Sequence, residues 1–209
     1  MSPKTDAGAV PGPLQFSDPR AVAVLDPAPA ELSYAGPVAV VVDSGNFRLT
    51  LIFVCNGELL RHIPLNGRQQ ERTEPQSVAV TPASEIVELS FGSGYINVFT
   101  VTGTLVCVLN LDTVNARGLA VCPSSGLVWT ADCASGWTTF KFELLRDLVA
   151  LRRGAVPIVE HIPEYDACVD TRYFPLDKLK GGLLGEMTFT KHGCLWVVDY
   201  SCSRLYMFR

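Results

Sequence analysis

Charge is scarce in this chain, and positive charge is in deficit. Of its 209 residues only 18% are charged, with 17 Lys and Arg against 21 Asp and Glu, a net charge of -4. With an isoelectric point near 5.4, the chain lacks the positive field that phosphate backbones demand, so nucleic acid is not an expected partner. Long apolar runs are also missing. The longest, such as Val38 to Val42, are strand-sized and far short of the roughly 20 residues that cross a bilayer, so no membrane span is expected. The stretch 1–18 is rich in Pro, Gly and Ala, holds no apolar block of signal-peptide length, and reads as a flexible N-terminal tail. The seven cysteines include no C-x-x-C pair, and an odd count without a secretory signal predicts reduced thiols and a cytoplasmic protein. Most have apolar neighbours, which predicts small buried hydrophobes. Absent too are G-x-S-x-G, H-E-x-x-H and a phosphate-binding glycine loop, so the sequence offers no catalytic residues and no cofactor site.

What is there is apolar surface and repetition. Hydrophobic residues make up 48% of the chain, enough to build a core. An apolar run, Val38 to Asp43, is followed by the polar Ser44-Gly45-Asn46-Phe47-Arg48. Leu49 to Phe53 comes next, then a turn containing Asn56-Gly57, then Glu58 to Ile63. The pattern returns as Ile86 to Ser90, Tyr95 to Phe99 and Thr104 to Leu109. It returns again as Leu127 to Asp132, Trp137 to Phe142 and Leu148 to Leu151, and last as Leu195 to Asp199 and Arg204 to Phe208. A short strand precedes each copy: Arg20 to Val24, Ser77 to Val80, Gly118 to Val121 and Glu186 to Phe189. Glu143 to Arg153 also has helical amphipathicity, but alignment with the other copies places Leu148 to Leu151 as a fourth strand.

The equivalent positions Asp43, Ser90, Asp132 and Asp199 are spaced by 47, 42 and 67 residues. The first two spacings match the roughly 40–45-residue period of a four-stranded propeller blade. The third adds a long insertion at about 154–184, where Pro157, Pro163, Pro175 and Gly181-Gly182 interrupt regular structure. A small sheet of apolar strands exposes both faces when alone, and stacking copies about an axis buries them. The expected fold is therefore all-β: a β-propeller or open propeller-like arc of about four, or five, four-stranded blades over 19–209.

The element Val42-Asp43-Ser44-Gly45-Asn46-Phe47-Arg48-Leu49 resembles the NHL-repeat signature, V-x-D followed by N-x-R-I/L. Asp199, Arg204, Leu205 and Phe208 echo it, with Cys202 in place of Asn. Asp132 matches while Ser135 and Trp137 replace Asn and Arg, and Ser90, Ser93 and Tyr95 replace all three in the second copy. The resemblance covers 19–151 and 185–209 in outline. It implies a propeller, which in this family has five or six blades; four are countable here. Ring closure would need a strand from the other terminus, and Leu14 to Phe16 is the only supply. An open arc would present an unpaired edge to a second copy or to another chain.

Several residue groups could carry function. Asp43, Asp132 and Asp199 end equivalent strands and could converge on calcium, or each could serve its own turn. His62, His161 and His192 lie too far apart to form a zinc pair by spacing. Cys133 and Cys202 occupy equivalent turns and read as free thiols. Glu160, Glu164, Asp166 and Asp170, beside Tyr165 and Tyr173, make the insertion an acidic recognition loop or a solvated linker. Arg48, Tyr95, Trp137 and Arg204 occupy matching places and form a second candidate interaction surface, unless each Arg holds its own blade. The preferred expectation is a non-enzymatic scaffold that binds a protein partner. One alternative is a divergent propeller hydrolase or lyase with an axial calcium or zinc ion. The other is an RNA-binding NHL module.

Overall fold

The polar turn after Asp43 forms a single 3-10 turn, Ser44–Asn46, and Phe47 closes it with φ at 50°. The chain reverses there, so Asp43 pairs with Arg48 and Val42 with Leu49. Antiparallel pairing of the same kind recurs in the three other sheets. In the computed structural model the described residues are 14–65, 74–92, 94–110, 116–124, 126–132, 139–143, 160–162, 184–190, 192–199 and 204–208.

The first sheet contains β1 (Pro19–Leu25), β2 (Val38–Asp43), β3 (Arg48–Phe53) and β4 (Glu58–Pro64) in that order, all antiparallel. The Asn56-Gly57 turn joins β3 to β4, with Gly57 at φ 74°, a conformation that costs glycine little. The second sheet holds β5 (Glu74–Val80), β6 (Ile86–Phe91), β7 (Tyr95–Phe99) and β8 (Leu105–Asn110). The third holds β9 (Ala116–Val121), β10 (Leu127–Asp132), β11 (Thr139–Glu143) and β12 (Glu160–Ile162). The fourth holds β13 (Leu184–Phe189), β14 (Leu195–Asp199) and β15 (Arg204–Phe208).

One expectation fails in the third sheet. The outer neighbour of β11 is β12, at Glu160–Ile162, rather than Leu148 to Leu151, which lies outside the described residues. Backbone pairing needs no apolar pattern, so Glu-His-Ile can take the place beside β11. The remainder of the expected insertion, apart from Leu184, also lies outside the described residues.

The innermost strands follow one another around an axis: β1 packs on β5, β5 on β9, and β9 on β13. Between the first two sheets, Leu25, Val38, Val40, Val42, Leu49 and Leu51 meet Val78, Ile86, Phe99 and Val101. Between the second and third, Val87, Leu89, Ile96 and Val98 meet Ala116, Leu119 and Val128. Each buried Val or Leu contributes about 1.5–3 kcal/mol, so these two layers hold the arc together. The third joint is tighter. A Cβ on Gly118 would collide with the carbonyl oxygen of Gly185, so β9 and β13 meet backbone against backbone.

Among the described residues the first and fourth sheets form no comparable joint. Alternation in β1 turns Ala21, Ala23 and Leu25 toward the second sheet and leaves Val22 and Val24 outward, 63% and 49% exposed. On β15, Leu205 is 56% exposed. A cavity of about 1290 Å³ runs along the inner strands and opens between these two apolar faces, with Trp196 and Val198 also on its wall. Among the described residues the architecture is all-β and propeller-like, with four antiparallel sheets following one another around an axis. Leu14 to Phe16 adds no strand to the fourth sheet; the segment docks instead against the first blade.

Candidate functional site

Every inner strand begins with the same irregularity. Pairing slips between Pro19 and Ala21 in β1, between Pro75 and Ser77 in β5, opposite Ala131 and Asp132 in β9, and between Leu184 and Met187 in β13. A bulge of this kind releases residues from the ladder and re-aims them. The released residues are Arg20, Gln76, Arg117 and the pair Gly185-Glu186. Arg20, Gln76 and Glu186 then converge at one mouth of the cavity.

A hydrogen-bond chain links them. Arg20 donates through Nη1 to Gln76 Oε1 at 2.7 Å, and its Nη2 pairs with Asp18 at 2.9 Å and Glu74 at 2.8 Å. Ser77 Oγ donates to Glu186 Oε2 at 2.6 Å, and Gln76 also bonds Glu186. The second oxygen, Oε1, is buried without a hydrogen-bond partner, as is Nε of Arg117. The Arg117 guanidinium sits 4.5 Å from the centre of the Phe91 ring, a cation–π contact. Burial pushes the Glu186 carboxyl up to about 7, against the lowering by Ser77 and Gln76.

A second buried carboxyl lies within a blade. Glu88, fully buried in β6, accepts from Ser90 Oγ and Asn97 Nδ2, each at 2.7 Å. Desolvation pushes it up to about 7 despite those two donors. It faces the joint with the first blade, beside Ile86 on the same strand face, away from the cavity mouth.

The Asp43–Arg48 element forms a closed network. Asp43 Oδ2 accepts from Arg48 Nε at 2.7 Å and Asn46 Nδ2 at 2.8 Å, and Oδ1 accepts the Ser17 backbone N–H at 2.7 Å. Arg48 and Asn46 each donate to the Gln15 carbonyl at 2.9 Å. A guanidinium can only donate, so His62 Nε2 accepts from Arg48 and its Nδ1–H faces Thr50 Oγ1, 3.1 Å away. Asp43 thus ends β2 opposite Pro19 of β1, with both oxygens engaged.

The other expected residues fall out as follows. Arg48 is half-buried and tied to its own blade, and Tyr95 opens β7 opposite Ser90 and Asn110. Arg204 opens β15 opposite Asp199, the register of Arg48 and Asp43. Trp137, Glu164, Tyr165, Asp166, Asp170, Tyr173, Cys133 and Cys202 lie outside the described residues. Asp132 ends β10, and His161 lies in β12, while His192 is exposed in a turn. Among the described residues no group of three or more His, Cys, Asp or Glu side chains gathers to hold a metal. The cysteines correct the expectation of full burial: Cys55 is exposed and Cys107, Cys122 and Cys194 are half-buried. Only Cys107 lies within a strand; Cys55, Cys122 and Cys194 stand in a turn or just outside strand ends, where apolar neighbours do not imply burial.

No family model matches the chain, and no curated protein matches it. Solved structures do. A virginiamycin B lyase from Staphylococcus aureus is similar with a TM-score of 0.55 at 13% identity, over 90% of this chain and 54% of its own. A Bacteroides thetaiotaomicron protein of unknown function is similar at 0.59 and 15%, over 91% of this chain and 46% of its own. A Myxococcus xanthus glutaminyl cyclase is similar at 0.50 and 11%, over 82% of this chain and 68% of its own. The chain spans about half the length of the first two. At these identities the likeness shows the fold alone, and that fold is propeller-like.

Proposed function

We propose that this chain is a non-enzymatic propeller module that binds a protein partner in the cleft between its first and fourth blades. The observation that carries this reading is the pair of apolar faces, Val22 and Val24 on one side and Leu205 on the other, left exposed across the cavity. Exposed apolar surface in a concave setting marks an interaction site. The resemblance of Asp43–Arg48 to the NHL repeat supports the same reading, as does the absence of a catalytic motif in the sequence. Cytoplasmic residence belongs to it too, on the strength of the unpaired cysteine pattern.

The test is site-specific photo-crosslinking in extract of the native cells. A crosslinker at Val24 or Leu205 captures a protein that one at Val54, exposed in the β3–β4 turn, does not. Capture at all three sites alike, or at none, overturns the proposal.

The enzyme reading retains one supporting observation, a buried carboxyl, Glu186, at the cavity mouth. Some similar structures are named as a lyase and a cyclase. Its metal-dependent form would need ligands other than Asp43, whose oxygens are both engaged. RNA binding has only the family resemblance behind it, against the acidic balance; filter binding at low salt is expected to show no retention.

A further inference from the structure

The open faces of the first and fourth blades are the two halves of one joint. Asp43, Ser90, Asp132 and Asp199 mark equivalent places in the four blades, and positions counted from them keep one facing throughout. The residues two and four before the mark face the preceding blade: Ile86 packs on the first blade, Val128 on the second, and Val197 and Leu195 are buried. The residues one and three before it face the following blade, as do Val42 and Val40, Leu89 and Val87, and Trp129 against Phe189. By the same count Val198 and Trp196 face forward from the fourth blade, and both line the cavity. Leu49, Ile96 and Leu205 each lie six residues past the mark; the next blade buries the first two completely, whereas Leu205 is 56% exposed. On the inner strands Val22, Val78, Leu119 and Met187 each pair with the residue two before the mark. The last three are buried at the joint with the preceding blade, and Val22 is 63% exposed.

We infer that this chain pairs head to tail with a second copy of itself, the fourth blade of one copy stacking on the first blade of the other. Among the described residues the fourth blade has no blade ahead of it and the first has none behind it, so each copy supplies what the other lacks. Stacking β13 of one copy on β1 of the other continues the series β1, β5, β9, β13 already formed within the chain. Such a contact is heterologous, and it closes when the two copies meet at both ends. The chain spans about half the length of the propeller-like structures similar to it. Two copies of four sheets make eight, within the range of about four to eight blades that propellers use. Thr188 shares the forward face beside Trp196, and the first internal joint likewise holds a polar side chain, Glu88. The inference deepens the partner reading and rests on it: the protein that fills the cleft is this chain.

The test uses the purified full chain. Sedimentation across a wide concentration range gives a mass that rises to twice that of one chain and no further. A photo-crosslinker at Leu205, in a mixture of isotope-labelled and unlabelled copies, joins β1 or β2 of a different copy. Val24→Lys and Leu205→Glu each raise the dissociation constant about tenfold or more. An equimolar mixture of the two variants pairs more tightly than either alone, because one joint of the mixed pair then carries no substitution. A mass that stays single, or that keeps growing, overturns the inference. So do crosslinks confined within one copy, and association that Leu205→Glu leaves unchanged. Sedimentation of the native chain needs no variant, so the inference can fail even if a variant folds poorly. Dilution separates the copies, so dye binding and unfolding of the single chain are read at the low end of the range. A different protein captured at Val24 and Leu205 in extract, with the purified chain monomeric, sinks this inference alone and leaves the partner reading in place.

Discussion

Ser77 on the inner strand of the second blade donates its hydroxyl to Glu186 on that of the fourth, 2.6 Å away and 109 residues along the chain. The bond reaches across the axis past the third blade and ties non-neighbouring sheets together. Ser77→Ala is expected to cost about 1–3 kcal/mol, because it takes a donor away from a buried carboxylate. The loss is larger at pH 8 than at pH 5.5, as urea unfolding at both values will show.

Stability itself depends on pH through Glu88 and Glu186. Both are pushed up to about 7 in the folded chain, from an ordinary value near 4.5. Between those values the folded protein keeps protons that the unfolded chain has released. The contribution of each is therefore fully present below the lower value, falls as pH rises across the window, and is gone above about 7. Glu88→Gln removes one titrating group, so its unfolding free energy changes less between pH 5 and pH 8 than that of the native chain. The difference is a few kcal/mol. Parallel curves for the two proteins would refute the assignment.

Arg48→Ala strands Asp43, which is 0% exposed. Removing one partner of a buried pair costs about 3–5 kcal/mol, and it also frees the Gln15 carbonyl held by Arg48. Proteolysis ahead of Asp18 should extend to Gln15 in this variant and stop short of it in the native chain.

Phe47 occupies the left-handed region at φ 50°, where an L side chain with Cβ is strained. Asparagine tolerates that conformation better, so Phe47→Asn is expected to raise stability by about 1 kcal/mol. A thermal melt checks it, and a lower midpoint contradicts it.

Val24→Lys on the open face should change stability by no more than about 0.5 kcal/mol. Leu51→Ala, in the joint between the first two blades, should cost about 2–5 kcal/mol. Val24→Lys with Leu205→Lys should also lower binding of an apolar fluorescent dye, which tests whether the two faces are accessible.

Much of this arc can be read in the residues. Strand alternation and the Asp43-to-Arg48 reversal are local, so the limits of β2, β3, β6, β7 and β10 follow from runs such as Val38 to Asp43 and Ile86 to Ser90. The cavity mouth is not local. Glu88 and Glu186 read as ordinary strand residues in Ile86 to Ser90 and Glu186 to Phe189. What makes Glu186 unusual is Ser77, whose proximity comes from stacking sheets and leaves no spacing signal. A carboxyl in the middle of an apolar strand was the available clue for Glu88, because a buried acid must find donors. Likewise β12 escaped because three residues, Glu160–Ile162, carry no alternation long enough to outweigh the Leu148 to Leu151 run.

The contact of Gly118 with Gly185 bears on how wide the cleft can be. There the two main chains touch, with Met187 and the Trp129–Phe189 ring pair packed in the same joint, so backbone contact helps fix the spacing of the last two blades. The joint between the first two blades is made of valines and leucines, whose sizes can change. Gly118→Ala would therefore splay the fourth blade and alter the distance from Leu205 to Val22, resizing the cleft from a residue that never touches its occupant.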